Sequence, residues 1–334
     1  RVLDQRMHDF ARVLSAHVAD PTEAHLAQVE LHADRVLRHV LMSAQPPRAE
    51  RVVMARRLAR WLTSTAPFPQ SLTNAVTWQS DTGAFIDWAR FRLLGGDELQ
   101  EVSQAYAATR EALIARRNAF AKLFAQSVVE WNANRPSVDG RVVPVESALE
   151  HVVAPIAAAH PTLVLVMDGL SISIFRELFA RSASHGWSEL MLIARGQPLV
   201  GIAALPTITE VSRTSLLCGR LLRGAAAQER TGFASHPALL AHSRAGSPPR
   251  LFHKGDLADA TNLASEVRDA IADPHQRVVG IVYNAVDDHL SGPEQLHQRW
   301  TLEDLRLLLP LLREAREARR VVVITADHGH LLED

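Results

Sequence analysis

The sequence predicts an α/β fold, a doubly wound and mostly parallel sheet, preceded by an all-helical domain. Three observations predict it. Leu163–Met167 and Val321–Thr325 are short, continuous apolar runs rich in β-branched residues, the pattern of strands covered on both faces. From Pro161 onward such runs alternate with amphipathic helical segments, and parallel strands need helical crossovers of this kind. Up to Trp131, apolar residues instead recur at three- and four-residue spacing with charges between them.

In the first part the helical segments run around 1–18, 21–41, 48–62 and 97–131. Asp20-Pro21, Gln45-Pro46-Pro47, Ala66-Pro67-Phe68-Pro69 and Gly95-Gly96 separate them, as breakers do between packed helices. Residues 132–143 are polar and turn-rich, which places the boundary between a helical domain at 1–135 and an α/β domain at 145–334. One more helix, 145–159, leads into the predicted strands 163–167, 190–194, 199–203, 278–283 and 321–325. Helices at 172–183, 212–222, 258–272 and 302–318 supply the crossovers.

The length of 334 residues suits two domains, and 47% hydrophobic with 22% charged residues excludes disordered and collagen-like classes. With 36 Lys+Arg against 37 Asp+Glu there is no global field to hold nucleic acid or an anionic membrane. The cluster Arg56, Arg57 and Arg60 reads as the solvated face of an amphipathic helix. One cysteine excludes an internal disulfide, and Cys218 falls on the apolar side of a helix pattern, the setting of a structural thiol. No spanning apolar stretch and no leader pattern is visible, so the expectation is a cytoplasmic protein without membrane contact.

In a parallel sheet, polar residues just past the carboxyl ends of strands line the ligand crevice. Asp168-Gly169 follows the first predicted strand and Asp327-His328-Gly329 the last, while Asp287, Asp288 and His289 follow the strand at 278–283. Aspartate at three of five strand ends is more than scatter provides, and buried carboxylates are costly without cations, so a metal site is expected. A solvated loop or an N-cap would be the commoner reason for any one of them. Thr207, Thr209 and Ser212 cluster where a strand gives way to a helix. Capping explains that cluster when it is taken alone, but a Thr oxygen there, facing a metal, would have its alkoxide stabilised by cation and helix dipole together. His330, His253 and Lys254 have no second signal and are left as ordinary polar residues.

Together, Val166-Met167-Asp168-Gly169-Leu170-Ser171, Leu205-Pro206-Thr207-Ile208-Thr209, Tyr283-Asn284-Ala285-Val286-Asp287-Asp288 and Thr325-Ala326-Asp327-His328-Gly329 resemble, in this order, the alkaline phosphatase superfamily. Within it they look most like the PglZ domain of bacteriophage exclusion (BREX) defence systems. The resemblance covers 161–334, and the preceding helical part is similar to the region that accompanies the domain in PglZ proteins. It implies that Asp168, Asp327 and His328 hold one divalent metal with Thr209 as nucleophile and metal neighbour. The Pro-x-x-Thr spacing, similar to that of phosphodiesterase members, selects Thr209 over Thr207. Asp287 would belong to a second metal with His289, although relatives place a His four residues after the Asp, where Ser291 stands. Ser212 falls where relatives carry an Asn that touches the phosphoryl oxygen. The implied cofactor is Zn²⁺, in one or two ions, with Mn²⁺ or Mg²⁺ as alternatives. The implied activity is hydrolysis of phosphate esters, mainly diesters and with nucleic acid or a nucleotide among the candidate substrates. The rival expectation is an interaction module that binds the methyltransferase, kinase and ATPase of the defence system.

Overall fold

The computed structural model describes residues 2–65, 68–134, 142–190, 199–259, 261–284 and 300–330. The chain divides into two compact units, the first drawn mainly from Arg1–Pro136 and the second from the remainder.

The first unit is helical: α1 (Val2–Ala19), α2 (Glu23–Leu37), α3 (Pro46–Thr63), α4 (Leu72–Trp78), α5 (Ala84–Leu93) and α6 (Gln100–Asn134). All of these helices except α4 contribute an apolar stripe to a common core, such as Met7, Phe10 and Leu14 from α1, Val29, Ala33 and Val36 from α2, and Ile86, Ala89 and Leu93 from α5. Thr22 caps α2 by accepting from the His25 amide, and Pro46 opens α3 at a position where its missing N–H costs no hydrogen bond. The pair α4 and α5 was not legible from periodicity. A π-helical turn at Gln79–Gly83 joins them and shifts the helical phase, so their buried positions do not lie on one 3.6-residue stripe. The arginines of α3 are not a free basic face. Arg56 Nη1 donates to Asp34 Oδ1 at 2.8 Å, Arg60 Nη2 donates to Glu30 Oε2 at 2.9 Å, and Arg57 lies 4.6 Å over the Phe85 ring.

The second unit is α/β. Its strands are β1 (Val142–Pro144), β2 (Thr162–Met167), β3 (Val200–Ile202), β4 (Arg250–Phe252), β5 (Ala258–Asp259), β6 (Asn262–Leu263), β7 (Val278–Tyr283) and β8 (Val321–Thr325). Its helices are α7 (Ala154–Ala159), α8 (Ile172–Leu178), α9 (Thr209–Cys218), α10 (Ala226–Ala234), α11 (Pro237–Leu240), α12 (Ser265–Ala272) and α13 (Leu308–Glu317). The main sheet has the order β4-β7-β2-β8 with every neighbouring pair parallel. All residues of β2 and β7 are buried, which is why both read as unbroken apolar runs.

Alternate residues of these strands feed two cores. Leu163, Leu165, Met167, Val279 and Ile281 pack with α8, α12 and α13, where Leu308, Leu311, Leu312 and Ala315 form the buried stripe. Val164, Val166, Val278 and Val282 face the other way, onto Ala157 of α7, Leu216 and Leu217 of α9, Phe233 of α10 and Leu239 of α11. The sheet is therefore doubly wound, as its sequence predicts. Arg320, just before β8, closes the end of α12 from below. Its guanidinium donates to the carbonyls of Ile271, Ala270, Asp273 and Gln276 at 2.6–3.2 Å, and burial lowers its pKa to about 10, so it remains charged at neutral pH.

Some expected elements differ. The run at 199–203 does form β3, but it pairs with β1 in a separate two-stranded parallel sheet. The helix expected over 258–272 starts only at Ser265, because Ala258–Asp259 and Asn262–Leu263 form the antiparallel pair β5–β6 and Asp259 Oδ2 takes the Ser265 amide at 3.0 Å. Of the strand expected at 190–194, only Leu190 lies within the described residues, and it is exposed. β4 was missed because three residues are too few to show a period. No helix among the described residues is long and apolar enough to cross a membrane.

Candidate metal centre

Sheet register brings the site together. Met167 is opposite Tyr283, and Val166 is opposite Thr325. Continued past the last paired residues, that register sets Asp168 between Asn284 and Asp327 in one row across the carboxyl edge, with the Asp168 amide still donating to the Tyr283 carbonyl at 3.0 Å. The chain must then turn sharply after Asp168, and Gly169 takes a left-handed φ of 70° that a side chain would disfavour. Its amide donates to Asp327 Oδ1 at 3.3 Å, while its carbonyl accepts from His330 Nδ1 at 2.7 Å.

Asp168 is 2% exposed and Asp327 fully buried. Asp168 Oδ2 accepts from Arg213 Nη1 at 2.7 Å and from Asn284 Nδ2 at 2.6 Å. Its other oxygen accepts from Thr209 Oγ1 at 3.3 Å and lies 3.6 Å from His328 Nε2. Asp327 Oδ1 accepts the amides of Gly169 and of His328, the latter at 3.0 Å, whereas Oδ2 is buried with no hydrogen-bond partner. Burial first, and the neighbouring Asp168 charge second, push the Asp327 carboxyl up to about 7. His328 Nδ1 lies 2.9 Å from the Gly329 carbonyl, to which it must donate, so the neutral ring keeps its lone pair on Nε2. That Nε2 is 3.0 Å from Thr209 Oγ1 and 3.4 Å from Asp327 Oδ2.

One ligand atom from each of Asp168, Asp327 and His328 lies within 4.8 Å of the other two. This donor set fits a divalent cation. An orphaned buried carboxylate oxygen, a second carboxylate oxygen and an imidazole lone pair oriented by a backbone carbonyl are what such an ion requires, and two buried acids in contact are otherwise unfavourable.

Of the residues expected at the site, Asp168, Thr209, Asp327 and His328 are brought together, while Asp287, His289 and Ser291 lie outside the described residues. Ser212, expected to touch the phosphoryl group, is corrected. It is fully buried; its hydroxyl donates to the Asp327 carbonyl and accepts the Ala204 amide at 3.1 Å, so it braces the end of β8 against α9 instead of facing the opening. His330 is held against the Gly169 backbone. Arg213 and Asn284 were missed, although Arg213 stands four residues after Thr209, the spacing that puts two side chains on one helix face. The Cys218 thiol donates to the Gln228 carbonyl at 3.4 Å and is pushed up by burial, away from the reactive range.

Residues 148–334, more than half of the chain, match the family described as the BREX system PglZ alkaline phosphatase-like domain. The chain belongs to the PglZ family. No curated protein matches it. The match begins just before α7, so the whole main sheet, the start of α9 and the Asp-His pair all fall inside the PglZ domain, and a helical region precedes it. Membership links the chain to BREX defence and to the other components of such a system. The alkaline phosphatase-like character of the PglZ domain also accords with use of a divalent metal at the cluster just described.

Proposed function

We propose that this PglZ domain is a metal-dependent phosphohydrolase, a phosphodiesterase in its main activity, with Thr209 as nucleophile. The observation that carries the reading is the position of Thr209 Oγ1, at the start of α9, 3.3 Å from Asp168 Oδ1 and 3.0 Å from His328 Nε2. A divalent cation held by Asp168, Asp327 and His328, with Zn²⁺ first and Mn²⁺ or Mg²⁺ as alternatives, would supply Lewis-acid stabilisation of the Thr209 alkoxide. Thr209 is half-buried at the head of a ten-residue helix, so its oxygen can reach a phosphate whose negative charge the helix N-terminus favours. Attack by Oγ1 on the phosphorus of a diester expels one alcohol and leaves the phosphoryl group, still esterified to the second alcohol, on Thr209; water then breaks the Thr209 O–P bond and releases the phosphate monoester. Asp287 and His289 would hold a second cation beside that water. Nucleic acid or a nucleotide supplies the diester in this reading, and the protein works in the cytoplasm beside the methyltransferase, kinase and ATPase of its defence system.

Ser291, standing where relatives carry a histidine, favours a second reading, an interaction module for those partners with weak or no catalysis. Elemental analysis of the purified protein, together with hydrolysis of bis-p-nitrophenyl phosphate with and without Zn²⁺ or Mn²⁺, separates the two. The enzyme reading expects bound metal and turnover that falls by at least about 10³-fold in Thr209→Ala, the scale on which a covalent nucleophile acts. Undiminished turnover in that variant removes Thr209 from its role, and a metal-free, inactive protein supports the interaction module.

A further inference from the structure

Arg213 is held at both ends. Its Nη1 donates to Asp168 Oδ2 at 2.7 Å, and its Nε donates to Glu229 Oε1 at 3.1 Å and Oε2 at 3.3 Å. Glu229, on α10, is fully buried, where an ionised carboxylate is tolerated only if its lone pairs are filled. They are filled here. Thr214 Oγ1 donates to Oε1 at 3.1 Å and His253 Nε2 to Oε2 at 2.7 Å. Burial by itself would raise the Glu229 carboxyl, but the His253 hydrogen bond and the Arg213 charge outweigh it and hold the group below its ordinary value. Glu229 is therefore a fixed anion behind α9, and a planar guanidinium is the side chain that can bridge from it to a second carboxylate. At that second carboxylate Arg213 and Asn284 together occupy Oδ2, so only Oδ1 of Asp168 turns toward Thr209 and His328.

We infer that Arg213 is a positioning residue of the metal centre: anchored by the buried Glu229–His253 pair, it fixes the Asp168 carboxylate so that a single oxygen, Oδ1, is presented to the divalent cation. The inference rests on the metal-dependent reading above. It has a signature opposite to that of simple charge. A guanidinium beside a cation repels it, so Coulomb's law alone predicts tighter cation binding once Arg213 is removed. Loss of a positioning partner predicts weaker binding, by about 10- to 100-fold.

The test is calorimetric titration of the whole chain with Zn²⁺ for wild type, Arg213→Met and Arg213→Lys, with thermal melting of each. Lysine keeps the buried charge paired, so Arg213→Lys decides if Arg213→Met does not fold. One ammonium lacks the fork that spans Glu229 and Asp168, and the expected result is a dissociation constant raised about tenfold in Arg213→Lys and up to about 100-fold in Arg213→Met. Unchanged or tighter Zn²⁺ binding in the folded variants overturns the inference; tighter binding would mean that Arg213 sits in the ion's place. A KM for bis-p-nitrophenyl phosphate raised tenfold at saturating Zn²⁺, with Zn²⁺ affinity unchanged, also overturns it and puts Arg213 on the substrate. Wild-type protein that takes up none of Zn²⁺, Mn²⁺ and Mg²⁺ in the same titration refutes the metal-dependent reading itself, whereas equal uptake of the bound ion by wild type and variants refutes the Arg213 assignment alone.

Discussion

With Oδ2 buried and unpartnered and its carboxyl pushed up to about 7, Asp327 costs the metal-free fold free energy that a neutral side chain would not. Asparagine has the same shape and keeps an oxygen for the Gly169 and His328 amides, while its NH₂ would stand where Oδ2 now lies 3.4 Å from an acceptor at His328 Nε2. Asp327→Asn is therefore expected to stabilise the metal-free protein by about 1–3 kcal/mol while abolishing Zn²⁺ uptake, measured by urea unfolding and elemental analysis. A destabilised variant would show that Oδ2 has a partner in solution. At this scale Asp168, Thr209, Asp327 and His328 were legible because each follows a strand or opens a helix that periodicity reveals. Glu229 was not. It sits on α10, whose short and weakly amphipathic sequence shows no face, and its importance comes from a burial that no local pattern encodes.

β7 carries a glycine in its middle for a reason that belongs to the elements around it. A Cβ at Gly280 would lie 2.7 Å from Leu251 Cδ1 and 2.8 Å from Phe233 Cζ, so α10 approaches the sheet through the space that residue leaves open. Gly280→Ala is expected to lose about 1–3 kcal/mol through overpacking, read as a lower urea midpoint, and an unchanged midpoint would mean that the Phe233 ring can move aside at little cost. The elements legible in the sequence were those with a strong period: β2, β7 and β8 as unbroken apolar runs, and α1, α2, α3 and α6 as long stripes. β4, the β5–β6 pair and α11 are each four residues or fewer and are specified by packing on their neighbours, so sequence reading passed over them. The π turn between α4 and α5 hid a helix pair of ordinary composition.

For the molecule as a whole, the Glu229 network links stability to pH. Its carboxyl is held below the ordinary 4.5, so the stabilisation is present above about pH 4.5 and is lost as pH falls from there through the lower folded value. The groups that face it are Arg213 and Thr214 from α9 and His253 after β4. Wild type should therefore lose more of its urea midpoint between pH 7 and pH 4 than Glu229→Gln does, and equal losses would exclude Glu229 as a source of acid sensitivity. The two-part organisation and the doubly wound sheet follow from a change of hydrophobic period along the chain, which is visible in the sequence alone. Spatial order is not: β8, last in sequence, lies beside β2, first in the main sheet, because crossover connections and not chain order decide neighbours. The row formed by Asn284, Asp168 and Asp327 also divides the gene by its tolerance of length changes. One codon inserted within β2 or β8 would turn the following aspartate to the opposite face of the sheet, whereas the same insertion in the exposed stretch around Gly246 would leave the row aligned.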